Sequence, residues 1–380
     1  MLSILPVLLL VLAAGCASAD APFASTPTPA HSASPAPLPD LAPPARHAWF
    51  GMNLDWANDS VGEVSERLGA TPSVWVQFVR FPLDDGGRGN LDAFVEQIAA
   101  VDGIGLVTLE PHDGLGAVTA QAARDLATTL DGYWRTSGTP TIVRFAHEMN
   151  GSWYPWGQQP EAYVEAFRTV AEAVHGLAPA SAMAWAPNEG AGYPFIGGAF
   201  EAPEDPILDT DGDGALTNAD DPYAPYWPGD DAVDWVGMSI YHWGLAYPWG
   251  ENEMPADDSF RALLTGAPTG AHQGEAGIPN FYAIYSEGHA KPMGVFETAA
   301  LYNPAADGPA EVQLKAAWWS QLIDPAIRES FPRLAMLNWF EWRKDEPEVG
   351  GIIDWRISTD PALARSLLAD APAGWLLFAD

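Results

Sequence analysis

Eight short apolar runs recur along this chain, each followed by enough residues for a helix before the next begins. They are Ala48 to Leu54, Val74 to Phe81, Ile104 to Glu110, Thr141 to His147, Ala182 to Pro187, Val233 to Tyr241, Pro292 to Glu297 and Leu334 to Glu341. The stretches between them, such as Leu91 to Val101, Ala120 to Thr136, Pro160 to His175 and Ala310 to Glu329, carry apolar residues at helical spacing. Alternation of this kind argues a parallel α/β arrangement, and eight units suit a closed (β/α)8 TIM barrel in a single domain. A doubly wound open sheet is the alternative, but no Gly-rich phosphate fingerprint follows the first run.

The chain has 380 residues, 48% of them hydrophobic, which is enough for one large core, and no internal break appears after residue 47. A net charge of −33 opposes binding to nucleic acid, anionic lipid surfaces or polyanionic substrates; a neutral ligand is indifferent to that field. Residues 1 to 16 form an apolar run too short to span a bilayer comfortably and ending in small residues, as an export signal does. Its ending, Leu12-Ala-Ala-Gly-Cys16, resembles a bacterial lipoprotein signal, which implies lipidation of Cys16; an ordinary cleaved signal is the alternative. Cys16 is the only cysteine, so no intrachain disulfide can form. From Ala17 to Arg46 the chain is mostly Ala, Pro, Ser and Thr and reads as a disordered tether, with the globular domain expected from His47 to Asp380. The expected location is the cell envelope or the exterior, as a monomer.

Chemistry concentrates in Arg144-Phe-Ala-His-Glu-Met-Asn-Gly-Ser-Trp-Tyr-Pro-Trp-Gly157, where a strand end delivers His147 and Glu148 to a loop crowded with aromatic rings. Cleaving a glycosidic bond takes a carboxylic acid to protonate the leaving oxygen and a second carboxylate across the anomeric carbon. Lys291-Pro-Met-Gly-Val-Phe-Glu297 supplies a second strand ending in a glutamate. Barrel active sites lie at the C-terminal ends of the strands. Glu148 follows the fourth run and Glu297 ends the seventh, so a barrel would bring the two together.

The segment His147-Glu-Met-Asn-Gly-Ser-Trp-Tyr-Pro-Trp156 resembles the acid/base motif of glycoside hydrolase family 26, best known for endo-β-1,4-mannanases. Val233 to Gly244 resembles that family's sixth strand, Lys291 to Glu297 its nucleophile strand, and Trp339 the aromatic near its eighth. The likeness covers most of residues 47 to 369. Loops 189 to 232 and 243 to 289 depart from the mannanase pattern. The resemblance implies a retaining endo-β-glycanase with Glu148 as acid/base, Glu297 as nucleophile and Tyr241 as a hydrogen-bond donor to Glu297. It favours Trp153 and Trp339 as sugar-binding rings, with His147, His112, Asn188 and Arg80 as further substrate-side residues.

Other readings of the same residues stay open. Glu148 could be a structural glutamate paired with Arg144, and Glu297 a plain strand-end carboxylate. His147 could be a metal ligand, but Gly151 stands where His-Glu-x-x-His needs its second histidine. Glu189, Glu110, Glu287 and Glu341 compete as strand-end carboxylates. Among 17 tryptophans, Trp153, Trp156, Trp243, Trp249, Trp339 and Trp342 fall in expected loops or strand ends at the catalytic face, where aromatic faces can cover the apolar side of a sugar. The substrate could be a mannan, a β-glucan, a β-xylan or an exopolysaccharide. A function of another class is a catalytically silent glycan-binding lipoprotein.

A second motif, Asp209 to Asp220, places Asp209, Asp211, Asp213 and Asp220 at positions one, three, five and twelve, with Gly214 at six, Ala215 at seven and Thr217 at nine. This is the spacing of a calcium loop, with an aspartate at twelve where an EF-hand has glutamate. A structural Ca²⁺ stiffening a cleft loop is expected there, with no cofactor in catalysis; a solvated acidic loop is the alternative.

Overall fold

In the computed structural model the structure describes residues 38–267, 278–372 and 374–379. The expected export signal, Cys16 and most of the tether lie outside these residues. Among the described residues no helix is long and apolar enough to cross a membrane.

Eight parallel strands close into a barrel: β1 (Ala48–Leu54), β2 (Val74–Arg80), β3 (Ile104–Glu110), β4 (Thr141–Phe145), β5 (Ser181–Trp185), β6 (Trp235–Ser239), β7 (Met293–Thr298) and β8 (Leu334–Glu341). Each pairs with its neighbour in sequence, and β8 closes on β1 from Trp49↔Met336 to Leu54↔Glu341. The fold is therefore the (β/α)8 barrel that the eight apolar runs imply. Two short strands decorate the edge: Leu376–Ala379 runs parallel to β1 and antiparallel to Thr71–Pro72.

The helices follow from ordinary signals. Asp85–Ala99 is capped by Asp84, whose side chain accepts from Gly87 N. Ala120–Ser137 is capped by Thr119 and stopped by Gly138 in the left-handed region. Pro160–Leu177 starts on a proline at its first turn, where the missing N–H costs nothing. The stretch expected as one helix over 310–329 is two, Glu311–Leu322 and Pro325–Ser330, because Pro325 cannot continue a helix and Asp324 caps the second.

Strand alternation separates two cores. One lies inside the barrel and includes Val74, Val76, Leu106, Ile142, Ala184 and Phe296. The larger fills the layer between strands and helices. Trp49 stacks on Trp235 at 5.9 Å near the start of their strands, and Trp235 Nε1 donates to Leu41 O at 2.9 Å. Ordered contacts thus begin ahead of His47. After β8 a hairpin, Arg343–Glu346 with Gly351–Asp354, rises beside the C-terminal end of the barrel.

Candidate active site

The chain leaves β4 through a sharply bent backbone. Ala146 and Glu148 both adopt positive φ, 45° and 55°, which non-glycine residues hold only when the surroundings over-determine them. Three sets of bonds do so here. Glu148 N donates to Ala186 O at 2.8 Å, Trp156 Nε1 donates to His147 O at 2.7 Å, and Asn150 and Asn188 exchange bonds of 2.9 and 2.8 Å between the loops after β4 and β5. Gly151 is required by close approach: a Cβ there would meet the Trp153 ring at 2.4 Å. The ring folded over that glycine presents Nε1 to Glu148 Oε2 at 2.9 Å.

Glu297, in β7, is held differently. The buried Arg144, projecting from β4, donates Nη2 to Glu297 Oε1 at 2.5 Å, and the Tyr241 hydroxyl donates to Oε2 at 2.8 Å. The pairing of Arg144 is therefore with Glu297, across the barrel, and not with Glu148. Arg144 is fixed in turn by Thr108, whose hydroxyl accepts from its Nε at 2.9 Å.

A carboxylate oxygen of Glu148, one of Glu297 and a ring nitrogen of His147 lie within 4.8 Å of one another. Desolvation, then the charge of Glu297, pushes the Glu148 carboxyl up to about 7, opposed by the Ser239 hydroxyl, Arg144 and Trp153. His147 is driven well below its ordinary value by burial and by Arg144, so its imidazole is neutral, and its Nδ1 makes no hydrogen bond. Both Glu297 oxygens already accept from a guanidinium and a phenol, donors that a metal ion bound there would have to displace.

The pair sits in a cleft of about 550 Å³. Trp153, Tyr154 and Phe195 line it on the side of Glu148; Trp243, Trp249 and Trp355 continue it beyond Tyr241. The hairpin after β8 contributes Lys344, Glu346 and Glu348. Of the residues singled out in the sequence, Glu148, Glu297, His147, Trp153, Tyr241 and Asn188 all reach this cleft, as do Trp243, Trp249, Trp342 and Glu189.

Four expected cleft residues, Trp156, Trp339, His112 and Arg80, do not line it; Trp156 is buried beneath His147, to whose carbonyl its Nε1 donates. Trp339 is buried, its Nε1 donating to Trp355 O at 2.8 Å and its ring packed on Trp319 of a barrel helix. Strand alternation points it outward while its neighbour Phe340 faces the cleft. His112 lies edge-on to Trp156 at 5.4 Å, with its Nε2 3.4 Å from Glu110. Arg80 pairs with Asp113. Phe340, Phe78, Asn53, Phe195 and Trp355 were missed; for Phe340 the parity of β8 was the available signal.

The acidic loop departs from its expected ligand set. Oxygens of Asp209, Asp211 and Asp213 converge within 4.8 Å of one another, and Asp209 accepts from the amides of Gly212, Asp213 and Gly214. Asp220 turns inward: Oδ1 accepts from Thr210 N and Asp211 N, and Oδ2 from Thr217 N, so it ties the loop together. The Thr217 hydroxyl accepts from Ala219 N, and Ala215 N donates to Asp213.

No family model matches the chain. It is 25% identical over 231 residues to endoglucanase H of Acetivibrio thermocellus, a match covering 59% of this chain and 19% of that protein. It is 27% identical over 195 residues to a β-1,3-xylanase of an Alcaligenes species, covering 48% of this chain and 35% of the other. The chain thus spans between about a fifth and a third of the length of these relatives. Among solved structures, an endo-β-1,4-mannanase double mutant from Cellulomonas fimi matches with a TM-score of 0.55 at 19% identity, covering 88% of this chain and 72% of that one. The catalytic domain of a GH26 endo-β-1,4-mannanase from Bacillus sp. JAMB-750 matches with a TM-score of 0.51 at 18% identity, covering 88% and 90%. These likenesses establish a shared barrel.

Proposed function

We propose that the chain is a retaining endo-acting β-glycanase of the glycoside hydrolase family 26 type. The observation that carries this is the closeness of the two glutamates: an oxygen of one lies within 4.8 Å of an oxygen of the other, which supports the ~5–5.5 Å spacing of carboxyl groups in retaining enzymes over the ~6.5–9.5 Å at which an inverting pair holds its water. The family is supported by the His147 to Trp156 motif together with the barrel shared with a GH26 mannanase.

The chemistry follows from the two environments. With its carboxyl at about 7, Glu148 carries a proton below neutrality and gives it to the glycosidic oxygen as the bond to the anomeric carbon breaks. Glu297, oriented by Arg144 and Tyr241, attacks that carbon from the opposite face and forms a glycosyl ester. Glu148, now ionised, takes a proton from water, whose oxygen attacks the same carbon and releases Glu297. Two displacements restore the original configuration.

A β-mannan is the leading substrate on the motif; the relatives named endoglucanase and β-1,3-xylanase make β-glucan and β-xylan the alternatives. The test is a reducing-end assay on mannan, glucomannan, mixed-linkage glucan, xylan and β-1,3-glucan, with Glu148→Gln as control. Release from one polymer, lost in the control, supports the reading. Binding without release from any of them would favour a silent glycan-binding protein. Export with lipidation of Cys16 belongs to the same proposal. So does a structural calcium ion held by Asp209, Asp211 and Asp213, a converging set of hard oxygens suited to that ion.

A further inference from the structure

Tyr247 is 75% exposed, among the most open large side chains of the described residues. A lone exposed ring is ordinary on a protein surface. This one stands on a braced loop beside the cleft. Asn252 and Asn303 exchange hydrogen bonds of 2.9 and 2.8 Å, and Asn303 also donates to Gly250 O at 2.8 Å. Glu253 accepts from Leu245 N at 2.7 Å, fixing the other flank. The loop therefore holds an apolar face toward water without needing to reorder, which lowers the entropic cost of a ligand settling on it.

The ring is also continuous with the site. Tyr247 meets Trp249 edge to face, centroids 6.0 Å apart at 85°, and Trp249 lines the cleft. From there the wall runs past Gly244 to Trp243, whose ring is 6.2 Å from Tyr241, the donor to Glu297. Beside the acid Glu148 the cleft is lined instead by Trp153 and Phe195, 5.1 Å apart. In a double displacement the sugar beyond the acid leaves, while the sugar joined to the nucleophile stays with everything attached to its non-reducing side. The Tyr247 arm, reached from the nucleophile's partner Tyr241 and not from the acid's partner Trp153, fits the retained portion.

We propose that Tyr247, with Trp249, forms a distal subsite for the retained end of a neutral β-linked glycan, so that the enzyme grips its polymer well away from the bond it cuts. This rests on the retaining-glycanase reading of the cleft. An uncharged chain is the occupant that fits. Lys344, the cation that the hairpin brings to the cleft, is already 3.2 Å from Glu346, its neighbour Arg343 lies 3.6 Å from Asp354, and the protein as a whole carries a net charge of −33. A ring stacked on a pyranose gains affinity by covering the sugar's apolar face, which asks for no charge on either partner.

The test compares the full chain with Tyr247→Ala and Tyr247→Phe. Kinetics are measured on whichever polymer of the mannan, glucan and xylan panel the wild type cleaves, and on a short aryl glycoside of the same sugar. Retardation in gels containing that polymer is measured on the same substitutions in a Glu148→Gln background. Loss of the ring is expected to raise KM for the polymer roughly three- to tenfold, the worth of one aromatic contact. It should also lower the polymer-to-aryl-glycoside ratio of kcat/KM, shift products toward shorter retained fragments and reduce gel retardation, with Phe restoring all of these. An active wild type whose Tyr247→Ala variant matches it in KM, product sizes and retardation overturns the subsite alone. A wild type that neither cleaves nor is retarded by any polymer overturns the glycanase reading and the subsite with it.

Discussion

Arg144 and Glu297 are joined by a charge-assisted hydrogen bond of 2.5 Å inside the barrel, and none of the arginine side chain is open to solvent. The bond links β4, which leads into Glu148, to β7, which holds Glu297, so the same contact that ties the two strands together also aims the proposed nucleophile. Removing one member of a buried pair leaves the other charge uncompensated. Arg144→Met is expected to cost roughly 3–5 kcal/mol in urea unfolding. It should also lower kcat by on the order of a hundredfold, the scale seen when an aimed donor is lost. A variant with wild-type stability and turnover would remove the pair from both roles.

The pH dependence has a definite sign. In its proposed role as the acid Glu148 must be protonated, and its carboxyl sits at about 7, so activity should fall as the pH rises through that value. The bond from Trp153 Nε1 favours the ionised form, and Trp153→Phe removes it while keeping a ring. The alkaline limb of kcat/KM should then move to higher pH. Movement in the opposite direction would mean that the tryptophan does not tune this group.

The same displaced carboxyl affects stability. Its folded value, about 7, lies above its ordinary value of 4.5, so the native state binds the proton more tightly than the unfolded chain does. The contribution is fully present below about 4.5, declines as the pH climbs between the two values, and is lost above about 7. Glu148→Gln should therefore melt close to the wild type near pH 4 and above it at pH 8, by up to about 3 kcal/mol. An equal difference at both pH values would attribute the change to packing alone.

The calcium ion proposed for the Asp209 to Asp213 cluster makes a thermal prediction. An ion that binds only the folded state stabilises it in proportion to its saturation, so a chelator should lower the melting temperature and added calcium restore it. Asp209→Ala should abolish that response. Melting curves that ignore both chelator and calcium would leave the loop as an acidic turn held by Asp220.

The fold was legible because β1, β3 and β8 are continuous apolar runs bounded by polar residues, and a strand buried on both faces has little other reading. The glutamates were legible because they close such runs. Which aromatic rings reach the cleft was harder. Trp339 and Phe340 are adjacent in sequence and opposite in fate, and only the pleat of β8, anchored by inward-facing Asn338 and its bond to Phe296 O, separates them. Trp355 and the Lys344 to Glu348 hairpin join the site through tertiary packing. Trp355 Nε1 donates to Glu346 at 2.7 Å, a contact that no local pattern announces. Arg144 was visible in the sequence, but the choice between its two glutamates is made by the barrel.

The most direct test of the central claim is the configuration of the first product. Proton NMR of the anomeric signal, recorded within minutes of adding enzyme to the polymer it cleaves and before mutarotation, reads that configuration. Two displacements through Glu297, with the glutamates this close, predict that the β-linked substrate first releases the β-anomer. Initial release of the α-anomer would require a single displacement by water and would contradict the mechanism.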